Sequence, residues 1–257
     1  MVGKLAHLAA KIAKIEADTS RRTEVLPPVP LQCPAIDATL PGEGLARGAV
    51  HEMMGPGHDG DQRGDGALMG FASVALARLM HADEHARPAL WCMNQRLQQV
   101  GGLLSGLVYP PGLQMMGVPV ERLLLAYTNN DADTLWAMEE ALQSRAVSAV
   151  LGELNRFEPV AARRLQLAAQ THAGTALALW PGKGGNAASF AETRWRLTNL
   201  PSTGNMMEPH WKVTLVRARR SAVTAEWSVR WQDGRLVADT LEQASPQVPL
   251  TAGAPLG

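Results

Sequence analysis

Gly48-Ala-Val-His-Glu-Met-Met-Gly-Pro-Gly-His-Asp-Gly-Asp-Gln-Arg-Gly-Asp-Gly66, with the apolar run Ala67 to Met80 behind it, decides how the chain is read. An apolar strand, a glycine-rich loop and a helix form the layout that cradles phosphate, because backbone N–H groups and a helix N-terminus face the anion. Gly55 and Gly60 stand at the fixed glycines of G-x-x-x-x-G-K-[ST], yet Asp61 occupies the lysine position and Gln62 the Ser/Thr position. Opposite unit charges about 4 Å apart gain roughly 4 kcal/mol at an effective dielectric of about 20, and an aspartate there turns attraction into repulsion. The attraction alone is worth about three powers of ten in affinity. Arg63 is the one cation of the loop, Asp59 and Asp65 add negative charge, and no lysine stands between Lys14 and Lys183. An ordinary glycine-rich surface loop fits the same letters; the flanking strand and helix pattern favours a phosphate loop that has lost its cation.

Outward from the loop, strand and helix patterns alternate. The strand is read over Ala49 to Met54, and Leu68, Phe71, Ala72, Ala75, Leu76 and Leu79 repeat at helical spacing with Asp65 as cap. Ala89 to Met93 reads as a buried strand beside the first. Gly101 to Gly117 reads as loop with one short helix, and Leu123 to Tyr127 as a further apolar run. Asn130 or Asp131 opens a helix through Leu135, Met138 and Leu142, and Val147 to Leu151 is a strand. Pro159 opens another helix, and Ala176 to Trp180 another strand. The fold class that follows is α/β, a largely parallel, doubly wound sheet with helices on both faces. After residue 185 the period becomes two: Arg194 to Thr198, Lys212 to Arg217, Glu226 to Trp231 and Arg235 to Asp239 read as antiparallel strands, with a tight turn at Gln232-Asp-Gly234.

The ends differ from this core. Leu5, Leu8, Ile12 and Ile15 make a narrow apolar stripe on a short helix, and Pro27, Pro28, Pro30 and Pro34 mark an extended linker. The expected division is residues 1–34 as helix and linker, 35–240 as core domain and 241–257 as a disordered tail. Lys plus Arg and Asp plus Glu both number 24 in 257 residues, so no whole-chain field draws in nucleic acid. Cys33 and Cys92 make no disulfide framework, and the start lacks a secretory leader, which points to the cytoplasm; no stretch is long enough and apolar enough for a membrane helix.

Candidate chemistry is sparse. His51, His58, His81 and His85 lack the carboxylate and third ligand of a metal motif, although His81 and His85 have i, i+4 spacing, so neither a metal nor another cofactor is expected. No nucleophile motif appears. The basic residues Arg194, Arg196, Lys212, Arg217, Arg219, Arg220, Arg230 and Arg235 interleave with Trp195, Trp211, Trp227 and Trp231. Cations beside stacking aromatics suit single-stranded DNA, and Arg194, Arg196, Arg217, Arg219, Arg220 and Trp227 form the candidate DNA or partner surface. Strands with one packed and one solvated face give the same alternation.

The ordered set Leu40-Pro-Gly-Glu-Gly-Leu-Ala-Arg-Gly-Ala-Val-His-Glu52, Gly55-Pro56, Tyr109-Pro-Pro-Gly-Leu113, Leu135 to Leu142, Ala149 to Leu154 and Arg163 to Ala169 resembles the ImuA family of damage-inducible mutagenesis proteins. That family is RecA-like in fold and similar to the division inhibitor SulA, and the resemblance spans about residues 35–239. It implies a non-catalytic accessory factor of SOS-induced, error-prone translesion synthesis, working with an inactive Y-family polymerase homologue and a DnaE-type polymerase. RecA and single-stranded DNA are further candidate partners. It also implies that Gly152 stands where an ATPase strand ends in a magnesium-holding aspartate, with Glu153 one place on and turned to the other side of the sheet. Two alternatives stay open: a SulA-like inhibitor of cell division, and a divergent RecA-like ATPase using Arg63 in place of lysine.

Overall fold

A computed structural model describes residues 26–56, 65–95, 108–181, 189–202, 208–219 and 223–239. The expected N-terminal helix, the tail and most of the glycine-rich loop lie outside the described residues. One nine-stranded sheet has the order β3-β2-β4-β5-β1-β6-β7-β8-β9. Its strands are β1 (Val50–Met54), β2 (Ala89–Asn94), β3 (Leu123–Thr128), β4 (Ala149–Glu153), β5 (Thr175–Trp180), β6 (Thr193–Asn199), β7 (His210–Ala218), β8 (Ala225–Gln232) and β9 (Arg235–Asp239). Strands β1 to β6 pair in parallel and β6 to β9 antiparallel, the mixed sheet expected, and the arrangement is consistent with a RecA-like fold. The helices are α1 (Pro34–Asp37), α2 (Asp65–His81), α3 (Pro110–Met115), α4 (Asp131–Ser144) and α5 (Pro159–His172).

Local chemistry sets the ends of these elements. Asn130 caps α4 by accepting the Asp133 N–H at 2.9 Å, and Pro159 stands in the first turn of α5, where no N–H is needed. Arg145 and Ala173 adopt left-handed backbone to stop α4 and α5. Asp233 and Gly234, both at positive φ, make the tight turn between β8 and β9.

Helices α4 and α5 cover one face of β1 to β5, and α2 covers the other face, reaching β6 and β7. Strands β4 and β5, buried at every position, lie between these layers and read as continuous apolar runs. One expectation is corrected here. β2 does not lie beside β1: β4 and β5 separate them, because α2 crosses over both before the chain re-enters the sheet. A second difference concerns α2, whose apolar residues at helical spacing predict one face buried against the sheet. Phe71 to Ala77 are all buried, and the cluster around them includes Val29, Leu31, Ile36, Leu40, Leu45, Leu113 and Val118. A helix apolar nearly all round demands such a double covering.

The proline-rich approach is therefore part of the core from Val29 onward. Val29 pairs with Leu45 through two backbone hydrogen bonds of 2.8 Å, and Leu31 and Cys33 are buried. Asp37 fixes this arm by accepting the N–H groups of Leu31 and Cys33 at 2.8 and 3.0 Å. On the sheet side, Gly70 has no room for a side chain because the Trp211 ring of β7 lies against it. The bare backbone there lets α2 settle onto the antiparallel extension.

Candidate functional site

The carboxyl ends of β1, β4 and β5 form the rim at which an open α/β sheet binds ligands. Gly55 leaves β1 still bonded to the sheet, its N–H donating to the Trp180 carbonyl at 3.0 Å. Gly60, Asp61 and Gln62 lie outside the described residues. At the end of β4, Gly152 faces α4, and a Cβ there would overlap the Met138 sulfur. No carboxylate can occupy that place.

Glu153 therefore points the other way. It shares a face with Leu151, which belongs to the cluster built on α2, the helix that follows the glycine-rich loop. The expectation that Glu153 turns to the other side of the sheet from Gly152 is met, and the packing of Met138 on Gly152 decides which side that is. Glu153 is 1% exposed. Its Oε1 accepts the Trp91 indole N–H at 2.8 Å, while Oε2 has no hydrogen-bond partner. Burial pushes its pKa up to about 7, against the lowering effect of the Trp91 and Asn94 N–H donors. The carboxyl can thus exchange a proton near neutrality, or present one free oxygen.

Beneath the rim lies a buried ion pair. Glu52 of β1 accepts Trp180 Nε1 at 2.9 Å on one oxygen, and Ser189 Oγ at 2.6 Å and Arg194 Nε at 2.9 Å on the other. Arg217 Nη1 donates to the Ser189 carbonyl at 2.6 Å. Arg194, grouped with the surface cations, is 7% exposed and neutralises Glu52 inside the fold. The available signal was Glu52 itself, since a glutamate in the middle of a central strand needs a buried cation.

Its neighbour His51 faces the opposite side and is also structural. Nε2 donates to the Ala46 carbonyl at 2.8 Å, so Nδ1 accepts from Thr193 Oγ1 at 2.7 Å. Thr193 in turn accepts the Trp195 indole N–H at 2.6 Å. Burial lowers the His51 pKa to about 4, keeping the ring neutral. The other histidines do not share a helix face: α2 ends at His81, whose Nε2 donates to the Gly117 carbonyl at 3.0 Å, and His85 lies in the turn beyond.

The antiparallel extension separates the two residue types that the sequence interleaves. Trp195, Trp211, Trp227 and Trp231 all point into the α2 side and are buried, with Trp195 and Trp227 rings 6.4 Å apart. Arg196, Arg217 and Arg219 are exposed, and Arg220 lies outside the described residues. Arg196 shares the outer face with Lys212, which pairs with Glu226 at 2.7 Å, and with Thr214, which donates to the same glutamate at 3.2 Å. The face offers cations and hydroxyls, and no tryptophan from these strands.

No family model matches the chain. Over 200 residues it is 29% identical to Protein ImuA of Caulobacter vibrioides, in two strains of that organism, covering 72% of this chain and 76% of the relative. No helix among the described residues is long and apolar enough to cross a membrane. With the mixed sheet and the ordered motifs already in place, that alignment makes the chain a homologue of Protein ImuA.

Proposed function

We propose that this protein is a non-catalytic, cytoplasmic accessory factor of damage-induced, error-prone translesion synthesis, docking an inactive Y-family polymerase homologue and a DnaE-type polymerase. The observation that carries this reading is the homology to Protein ImuA across most of both chains. The replacement of the phosphate-loop lysine and Ser/Thr by Asp61 and Gln62 supports a role without catalysis. The test is deletion of this chain's gene followed by a count of damage-induced mutants, with affinity purification of the tagged chain from damaged cells. Loss of induced mutagenesis and recovery of both polymerase-type partners are expected. Unchanged mutagenesis in the deletion strain refutes the proposal.

The outer face of β6 to β9 is a surface on which such a factor could meet DNA, RecA or a polymerase. Because Trp227 and its fellows are buried, Arg196, Arg217 and Arg219 would act through phosphate charge and not through base stacking. Any DNA affinity should then fall steeply with salt.

One observation favours a second reading, a divergent nucleotide-binding protein with Arg63 near the phosphates. Glu153 puts a carboxylate with a free oxygen on the face of the helix that follows the loop. Titration of fluorescent ATP with magnesium decides: micromolar binding that weakens in Glu153→Gln supports this reading, and absence of binding at millimolar nucleotide removes it.

A further inference from the structure

β3 is one edge of the sheet, and its Leu-Leu-Leu-Ala-Tyr-Thr sequence carries no charge. Leu124, Leu125 and Tyr127 are 50%, 40% and 54% exposed. Edge strands of soluble proteins are normally guarded by charge, proline, bulges or a covering element, because their free N–H and C=O groups template pairing with another chain. The far edge is guarded in this way, with the exposed Arg235 opening β9. β3 is not. Its nearest charge, Arg122, is drawn inward, donating to the carbonyls of Met80 and Arg87 at 3.1 and 2.8 Å. Among the described residues no strand pairs with its outer side.

We propose that β3 is an interface between two copies of this chain, joined antiparallel about a twofold axis perpendicular to the sheet and midway between the two copies of Leu125. Face parity selects this register. Leu123 packs into the α2 side while Thr128 Oγ1 bonds Thr134 of α4, so Leu123, Leu125 and Tyr127 share one face and Leu124, Ala126 and Thr128 the other. A twofold axis perpendicular to the sheet keeps each face continuous, so like-facing residues must meet. Centred on Leu125, Leu123 faces Tyr127 of the second copy, Leu124 faces Ala126 and Leu125 faces itself.

Every pair between Leu123 and Tyr127 is apolar or aromatic, the kind that stabilises adjacent strands, and no like charges oppose one another. A centre at Ala126 would instead set Leu124 against Thr128, which is buried and committed to Met93 and Thr134. An uncharged strand meets no electrostatic penalty against its own copy, whereas a partner segment with acidic or basic residues would have to desolvate them against leucine. The contact area of a single strand pair falls below the roughly 1,200 Å² of standard interfaces, so a concentration-dependent dimer is expected.

The full chain tests this directly. Sedimentation velocity across micromolar concentrations should show a monomer–dimer equilibrium, and Leu125→Lys should remove the dimer while circular dichroism stays unchanged. Residues facing each other across antiparallel strands have Cα atoms about 4.5–5.5 Å apart, within disulfide reach. Leu125→Cys should therefore form an intermolecular disulfide on mild oxidation. The native Cys33 and Cys92 are buried and give little background. A monomer at every concentration, or a folded Leu125→Cys protein that never cross-links, overturns the proposal. So does shielding of Leu124 and Tyr127 only when a different polypeptide is added, which would make the occupant another protein's strand.

Discussion

Replacing Glu153 by glutamine removes a carboxyl that the fold holds neutral to about pH 7, against an ordinary 4.5. Between those values the folded state keeps a proton that the unfolded state has lost. Stability must therefore fall as pH rises through that window, and above pH 7 the whole difference is felt, about 3 kcal/mol for a shift of this size. Glutamine cannot ionise, yet it still offers Trp91 an acceptor oxygen. Its amide also leaves a buried group without a partner, as the carboxyl does at Oε2, so the diagnostic quantity is the slope of the difference with pH. Urea unfolding followed by tryptophan fluorescence should show Glu153→Gln gaining on the native chain by about 3 kcal/mol between pH 4.5 and 8. His51 works in the opposite sense, because the unfolded state takes a proton between pH 6.5 and 4 that the folded ring refuses. The native profile should accordingly be nearly flat from pH 4.5 to 6.5, and the variant's should rise. Parallel pH profiles for the two proteins would refute the buried, near-neutral assignment of Glu153.

Three further outcomes follow from the same geometry. Glu52→Ala leaves Arg194 buried without its anion and should cost about 3–5 kcal/mol in chemical denaturation. Gly152→Ala drives a methyl group into Met138 and should destabilise by about 1–3 kcal/mol, a loss that Met138→Ala in the same chain should partly restore; simple addition of the two effects would contradict the contact. In NMR titration, the His51 imidazole should show the neutral Nε2–H form down to about pH 5.

The alternation of strands and helices was legible because β4 and β5 are buried on both faces and therefore carry unbroken apolar runs. Strand order was not legible in the same way. Ala89 to Met93 has the same letters whether it lies beside β1 or beyond β4 and β5, and only the length of α2's crossover decides. The proline-rich arm misled for a related reason: prolines exclude helix, but they do not prevent Val29, Leu31 and Cys33 from being buried in extended chain. Four tryptophans alternating with arginines were compatible with a stacking surface and with a packed face, and the position of α2 turned all four inward.

The rim of the sheet shows the sharper limit. A strand's side chains alternate, which sets Glu153 across the sheet from Gly152 but does not say which helix covers either face. Ala-Val-Leu-Gly-Glu contains nothing that decides this by itself, since alanine, valine and leucine are welcome on both faces of a buried strand. The deciding residue is Met138 in α4, fifteen positions from Glu153, whose side chain fills the space that any side chain at Gly152 would need. Once that contact is known, Glu153 must face α2, and its cost of burial follows. A buried carboxyl with one unpartnered oxygen is a poor structural choice, since an apolar side chain would avoid both penalties. At the carboxyl end of β4 the acidic group is directed toward the helix behind the glycine-rich loop. The Glu153→Gln profile and the nucleotide titration therefore probe one oxygen from two directions. A stabilised variant with unchanged ligand behaviour would mark it as a remnant, and a stabilised variant that loses a ligand would mark it as a working group.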